Sequence, residues 1–126
     1  MFDNLQINIP GGLDFDIPKM VKVKQNFEDH KINDVALAVE NEIKKPEISQ
    51  TIKAGASIAI GVGSRGVANI DIAVKSLVSS LKELGAKPFI FPAMGSHGGG
   101  TVENQTALLA GYGVTKEKIG AEIRAT

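Results

Sequence analysis

Residues 57–66 read SIAIGVGSRG, an apolar run that opens into a glycine loop, and the identity of that loop organises the rest of the chain. Ile58 to Val62 form an uninterrupted run of small apolar residues bounded by a turn signal, the pattern of a buried strand. Beyond the loop, Ile70, Ala73, Leu77, Leu81 and Leu84 recur as one stripe, with Lys75, Lys82 and Glu83 off it. That spacing predicts an amphipathic helix, with Asn69 as its candidate cap and Gly85 at the left-handed position that ends helices. Phe89-Ile90-Phe91 then reads as a second buried strand. Strand, helix and strand in this order predict a right-handed crossover between parallel strands.

A second glycine-rich stretch, Gly95-Ser96-His97-Gly98-Gly99-Gly100, follows the second strand. It leads into a helix predicted from Thr101 to Leu109, ended by Gly111 and Gly113, and a short helical turn, Lys116 to Ile119, capped by Thr115. Upstream, Leu5, Ile7 and Ile9 alternate with polar residues, Pro10-Gly11-Gly12 intervenes, and Leu13, Phe15 and Ile17 resume the alternation, which predicts a hairpin over 1–18. Val21 and Val23 alternate with Lys22 and Lys24, predicting a strand from Met20 to Gln25. Asn33 is placed to cap a helix, with Asp34 in its first turn, and Ile32, Val35, Ala36, Val39 and Ile43 at helical spacing; Pro46 limits it. The fold class is therefore α/β: a Rossmann-like parallel sheet flanked by helices, with an N-terminal β-hairpin. We expect one α/β domain over 1–126, with its core in 19–126. Ile123-Arg124-Ala125-Thr126 reads as the start of a strand with no capping element after it, so the chain is expected to be the N-terminal fragment of a longer two-domain protein.

Composition narrows the function. A chain of 126 residues at 43% hydrophobic content is the size of one domain with a core of its own. Lys and Arg total 14, as do Asp and Glu, so no basic excess advertises nucleic acid or an anionic membrane surface. There are no cysteines, which excludes disulfides, thiolate metal sites and cysteine nucleophiles. With no apolar run of the roughly 20 residues that span a bilayer, and no signal-peptide pattern in MFDNLQINIP, a cytoplasmic protein is expected.

In an open parallel sheet, ligands bind beyond the carboxyl ends of the strands, where both glycine loops fall. If the strands ending at Val62 and Phe91 are neighbours they lie about 5 Å apart, or about 10 Å with one strand between them, and Arg65 and His97 are then expected to reach one small ligand. The glycines let the backbone approach that ligand, and the helices that follow aim free N–H groups at it. Such a site favours a phosphate or carboxylate, held by Gly63, Ser64, Arg65, Gly66, Gly95, Ser96 and Gly98. The planar fork of Arg65 matches either anion at two points, against the plain alternative of a solvated turn arginine. His97, at a helix N-terminus whose dipole disfavours positive charge, is the candidate proton acceptor; otherwise its ring bonds a nearby backbone group. Ser64 reads as a loop hydroxyl, with no triad partner identifiable. His30 lies in a polar run and reads as solvated. Glu103 and Gln105 are placed in the first turn of the next helix. GVGSRG satisfies G-x-G-x-x-G, yet the acidic residue that a dinucleotide site needs about 20 residues on is missing from the second strand, whose end is Phe91-Pro92-Ala93-Met94. The one acid near that interval, Glu83, lies on the polar face of the helix.

Taken together, IAIGVGSRGVANI (58–70), FIFPAMGSHGGGTVENQ (89–105) and LAGYGVTKEKIGAEIRAT (109–126) resemble the amino-terminal domain of the nickel-pincer-nucleotide lactate racemase family, over most of the chain from about residue 19. The resemblance implies an isomerase that racemises or epimerises a small 2-hydroxyacid through a transient keto acid. It implies a nickel-pincer nucleotide as hydride acceptor, His97 as catalytic acid and base, and Arg65 as a holder of cofactor or substrate anions. It also implies that the cofactor-attaching lysine, the nickel-binding histidine and a second catalytic histidine lie beyond Thr126, in a C-terminal domain of the same protein. No metal ligand is then expected in this chain, and the fragment is expected to be inactive alone. Where the lactate enzyme has an aspartate and a proline around the arginine, this chain has Val62 and Gly66. After the histidine, Gly98 and Gly99 replace arginine and proline, so the resemblance implies a 2-hydroxyacid without singling out lactate. The alternatives are a nicotinamide-dinucleotide oxidoreductase and a non-catalytic small-anion-binding domain.

Overall fold

The computed structural model describes residues 19–28 and 30–125. The chain divides into two units, Met1–His30 and Lys31–Thr126, and every helix and strand given below belongs to the second. The hairpin expected over 1–18 lies outside the described residues. Residues 20–25, expected as a strand, carry no strand pairing, and Met20, Val21 and Val23 are exposed. Alternation alone does not make a strand, because each backbone N–H and C=O needs a partner across a ladder.

The second unit runs α1 (Val35–Lys44), α2 (Pro46–Ser49), β1 (Ser57–Val62), α3 (Ile70–Glu83), β2 (Lys87–Pro92), α4 (Val102–Gly111), α5 (Lys116–Ile119) and β3 (Glu122–Ile123). It is a mixed α/β arrangement around an open three-stranded parallel sheet of order β1-β2-β3. Asp34, not Asn33, caps α1: its backbone is extended and its carboxylate accepts from the N–H of Leu37 at 2.9 Å, the reach a cap needs. Ile32 falls outside the helix and is exposed. Pro46 occupies the first turn of α2, where its missing N–H is harmless. Asn69 precedes α3 as expected but makes no side-chain cap; it contributes instead a left-handed backbone, φ 56°, that asparagine tolerates. The end of α4 also differs from expectation. Gly111 stays helical, and Gly113 (φ 81°) closes the turn, with the N–H of Val114 bonding back to the carbonyl of Leu109 at 2.9 Å. Gly85 ends α3 in the same way, and Thr115 caps α5.

β1 and β2 pair in register from Ser57 opposite Lys87 to Val62 opposite Pro92. Residues opposite each other share a face, and the burial is one-sided. Ile60, Val62 and Ile90 enter a core with Val74, Val78 and Leu81 of α3, and with Leu109, Val114 and Ile119. The other face carries Ala59, Gly61 and Phe91, all exposed, and the Arg124 guanidinium lies 4.2 Å from the centre of the Phe89 ring. The helices that connect the strands, α3, α4 and α5, all contribute residues to that one core. α1 forms an outer layer on α3, where the Ser76 hydroxyl donates to the carbonyl of Ala36 at 2.8 Å.

Leu109 is fully buried, and truncating a buried leucine typically costs about 2–5 kcal/mol. Leu109→Ala is expected to lower the urea midpoint by that order, whereas Val102→Ala, at an exposed site on the same helix, is expected to change stability by no more than about 0.5 kcal/mol. Equal losses would contradict this assignment of the core.

Candidate functional site

Both glycine loops leave the sheet at the same rim, because β1 and β2 are adjacent and parallel. The pairing continues past the strand ends, where the N–H of Ala93 donates to the carbonyl of Val62 at 2.9 Å. Loop 1 (63–69) and loop 2 (93–101) thus start side by side. They wall two adjoining cavities. One, of about 600 Å³, is lined by Arg65, Met94, Gly95, Ser96 and His97. The other, of about 380 Å³, is lined by Gly63, Ser64, Arg65, Val67, Ala93, Met94 and Gly95. Arg65, Met94 and Gly95 border both.

The residues singled out from sequence separate into three groups. Arg65, His97, Gly95 and Ser96 share the larger cavity, and Gly63 and Ser64 the smaller. Gly66 lines neither of them. Gly98 turns the other way and lines a different cavity, with Asn104, Ala107, Leu108, Gly111 and Tyr112. Loop 2 itself requires a glycine at this position. Its φ is +70°, and a Cβ there would lie 3.0 Å from Leu108 Cδ1, so both the backbone and the packing call for glycine. His97 is exposed and is not at the first turn of α4. His97–Gly100 form a tight turn with left-handed backbone at Gly98 and Gly99, and Thr101 caps α4 after it by accepting from the N–H of Asn104. Glu103 is exposed in the first turn of α4 and lines neither cavity.

Arg65 and His97 are the two ionisable side chains that line the larger cavity. Arg65 is exposed and, among the described residues, has no hydrogen bond or ion pair. No acidic side chain lines either cavity, so its positive charge is left for a ligand. The imidazole of His97 is held at one nitrogen only: Nδ1 lies 2.6 Å from the hydroxyl of Ser64, which is 7% exposed. Nε2 has no partner among the described residues. Together they offer an anion-binding fork and a proton-transfer group on one wall. Among the described residues no three His, Cys, Asp or Glu side chains converge into a metal site, and no helix is long and apolar enough to cross a membrane.

Sequence reasoning missed what holds the loops. The Gln105 amide donates to the carbonyls of Gly95 at 2.8 Å and His97 at 3.2 Å, clamping loop 2. The Tyr112 hydroxyl donates to the carbonyl of Ser64 at 2.9 Å, clamping loop 1. Gln105, Leu108 and Tyr112 follow one another at i, i+3 and i+7, so they share a face of α4 and its last turn. That spacing was available in the sequence. What the face meets was not, because the contacts span up to 48 positions along the chain.

No family model, curated protein or solved structure matches this chain. The loop geometry yields its own prediction. Gly98→Ala is expected to destabilise the protein by about 1–3 kcal/mol, the range for a strained backbone, and to shift the amide signals of Ser96 and His97. Gly100→Ala, also at positive φ but facing open space, is expected to cost less. Equal losses in a denaturant titration would show that the contact between Gly98 and Leu108 does not set the loop.

Proposed function

We propose that this chain is the Rossmann-like amino-terminal domain of a 2-hydroxyacid racemase or epimerase of the nickel-pincer-nucleotide lactate racemase type. The observation that carries the reading is the common cavity wall formed by Arg65 and His97. A 2-hydroxyacid offers a carboxylate and, one carbon away, a hydroxyl whose proton must leave as the carbon is oxidised. The Arg65 fork binds the carboxylate at two points. Nε2 of His97 takes the hydroxyl proton and returns it.

The nickel-pincer nucleotide, when bound, supplies a hydride acceptor. Its anionic groups fit the Gly63–Arg65 loop, where an unpaired guanidinium stands without a competing carboxylate. Its metal does not find a donor set among the described residues. On this reading the lysine and histidines for the cofactor come from a C-terminal domain of the same cytoplasmic protein, and this chain contributes substrate binding and proton transfer.

The dinucleotide oxidoreductase is less well supported. The acid it needs is absent from the end of β2, and Glu83 ends α3, at the opposite edge of the sheet from the two loops. A simple anion-binding domain explains Arg65 but gives no role to an exposed histidine held at one nitrogen.

In the cofactor-loaded full-length protein, His97→Ala is expected to lower racemisation of a 2-hydroxyacid by about 100-fold or more, read by circular dichroism of the product, while adding NAD to the wild type leaves Tm unchanged. Turnover near the wild-type rate would contradict the catalytic assignment, and a clear rise of Tm with NAD would favour the oxidoreductase.

A further inference from the structure

Ser64 and Ser80 are the only buried polar side chains among the described residues. A buried hydroxyl needs a partner, and that of Ser64 is an imidazole 33 positions away, so the contact is made by the fold rather than by local sequence. Both ends of the bond are fixed. Val62, two residues before Ser64, is anchored in the core at 2% exposure, and Tyr112 holds the Ser64 carbonyl. Gln105 holds the His97 carbonyl. The hydroxyl meets Nδ1, which leaves the far edge of the ring, with Nε2, for the cavity.

A neutral imidazole carries one N–H, and the partner of one nitrogen decides what the other presents. A side chain that takes a proton at Nε2 must offer a lone pair there. Its hydrogen must then sit on Nδ1, and the serine oxygen must accept it. After proton transfer both nitrogens carry hydrogen, and the same Nδ1–H to Oγ bond persists without rearrangement. The opposite polarity, with the serine O–H donating to Nδ1, would leave Nε2 protonated and Ser64 primed as a nucleophile. Ser64 is only 7% exposed and, among the described residues, no carboxylate orients the ring; both argue against attack on a substrate.

We propose that Ser64 is the positioning residue of His97: its hydroxyl accepts the Nδ1–H, fixes the ring plane and tautomer, and so presents Nε2 to the cavity as the proton acceptor. The inference rests on the function proposed above for its purpose, but not for its test. The sequence contains two histidines, so the ring nitrogens of a ¹⁵N-histidine-labelled chain are assigned with a His30→Gln variant. At a pH where the ring is neutral, the wild type is expected to show the signature of a protonated Nδ1 and a bare Nε2 at His97. Ser64→Ala is expected to move the population toward Nε2–H, the form free histidine prefers, and Ser64→Thr to restore the wild-type signature. In the loaded full-length protein Ser64→Ala is expected to lower kcat by roughly 10–100-fold with KM little changed, the size of effect known for removing the outer hydrogen-bond partner of a metal-bound histidine. The wild-type spectrum alone decides the point should the alanine variant fail to fold.

A wild-type ring protonated at Nε2, an unchanged tautomer in folded Ser64→Ala, or covalent labelling of Ser64 by a fluorophosphonate would each overturn the proposal. The Nδ1–H signature together with an active His97→Ala enzyme would uphold the positioning of the ring by Ser64 while removing the catalytic assignment of His97. The two failures are therefore distinguishable.

Discussion

The in-register parallel pairing of β1 with β2 is the constraint on which the site depends. It fixes Val62 opposite Pro92 and carries one more hydrogen bond past the strand ends, so that the two glycine loops begin one strand spacing apart. Apolar burial on one face of this pair sets the register, because a slip by one residue would turn Ile60, Val62 and Ile90 out of the core. Everything the loops do together follows from that alignment. Arg65 and His97 share a cavity because their strands share a ladder.

α4 supplies the second level of order. Loops at a sheet rim are ordinarily the least restrained part of a domain. Here Gln105, Leu108 and Tyr112 reach back along one side of α4 and its last turn, and each takes hold of a loop: two carbonyls of loop 2, the surface of Gly98, and the Ser64 carbonyl of loop 1. Ser64 and His97 then bond directly across the gap. The helix that returns the chain to β3 thus also holds the two loops in place. The functional pair owes its geometry to core residues at one end and to this helix at the other.

Much of this architecture was legible in the sequence, and the parts that were not share a cause. The run 58–62, the stripe from Ile70 to Leu84 and the run 89–91 identified β1, α3 and β2, but not their burial: both strands bury one face only, leaving Ala59, Gly61 and Phe91 exposed, and α3 buries Val74 and Val78 beside Leu81. Thr115 and Gly85 behaved as local rules require. Asp34 displaced Asn33 as a cap, and Gly113 displaced Gly111 as a terminator, by the one or two residues over which such signals compete. Met20 to Gln25 alternated without becoming a strand, since pairing is a property of a partner and not of the segment. In the site, Arg65 and His97 stood out by residue type and by their neighbours. The clamping roles of Gln105, placed only in a helix's first turn, and of Tyr112 did not, because a side chain that holds a distant carbonyl leaves no local signature. Gly98 is required by its φ and by its closeness to Leu108, a demand that reads in a sequence just like that of a bound group.

The central claim is that one small anion bearing a neighbouring hydroxyl engages Arg65 and His97 at once. Its most direct measurement is a crystal structure of the protein soaked with a 2-hydroxycarboxylate. The account predicts density in the cavity between the loops, with the carboxylate on the Arg65 guanidinium and the hydroxyl within hydrogen-bond reach of His97 Nε2. A ligand bound elsewhere, or one held by Arg65 with its hydroxyl turned away from the imidazole, would contradict it.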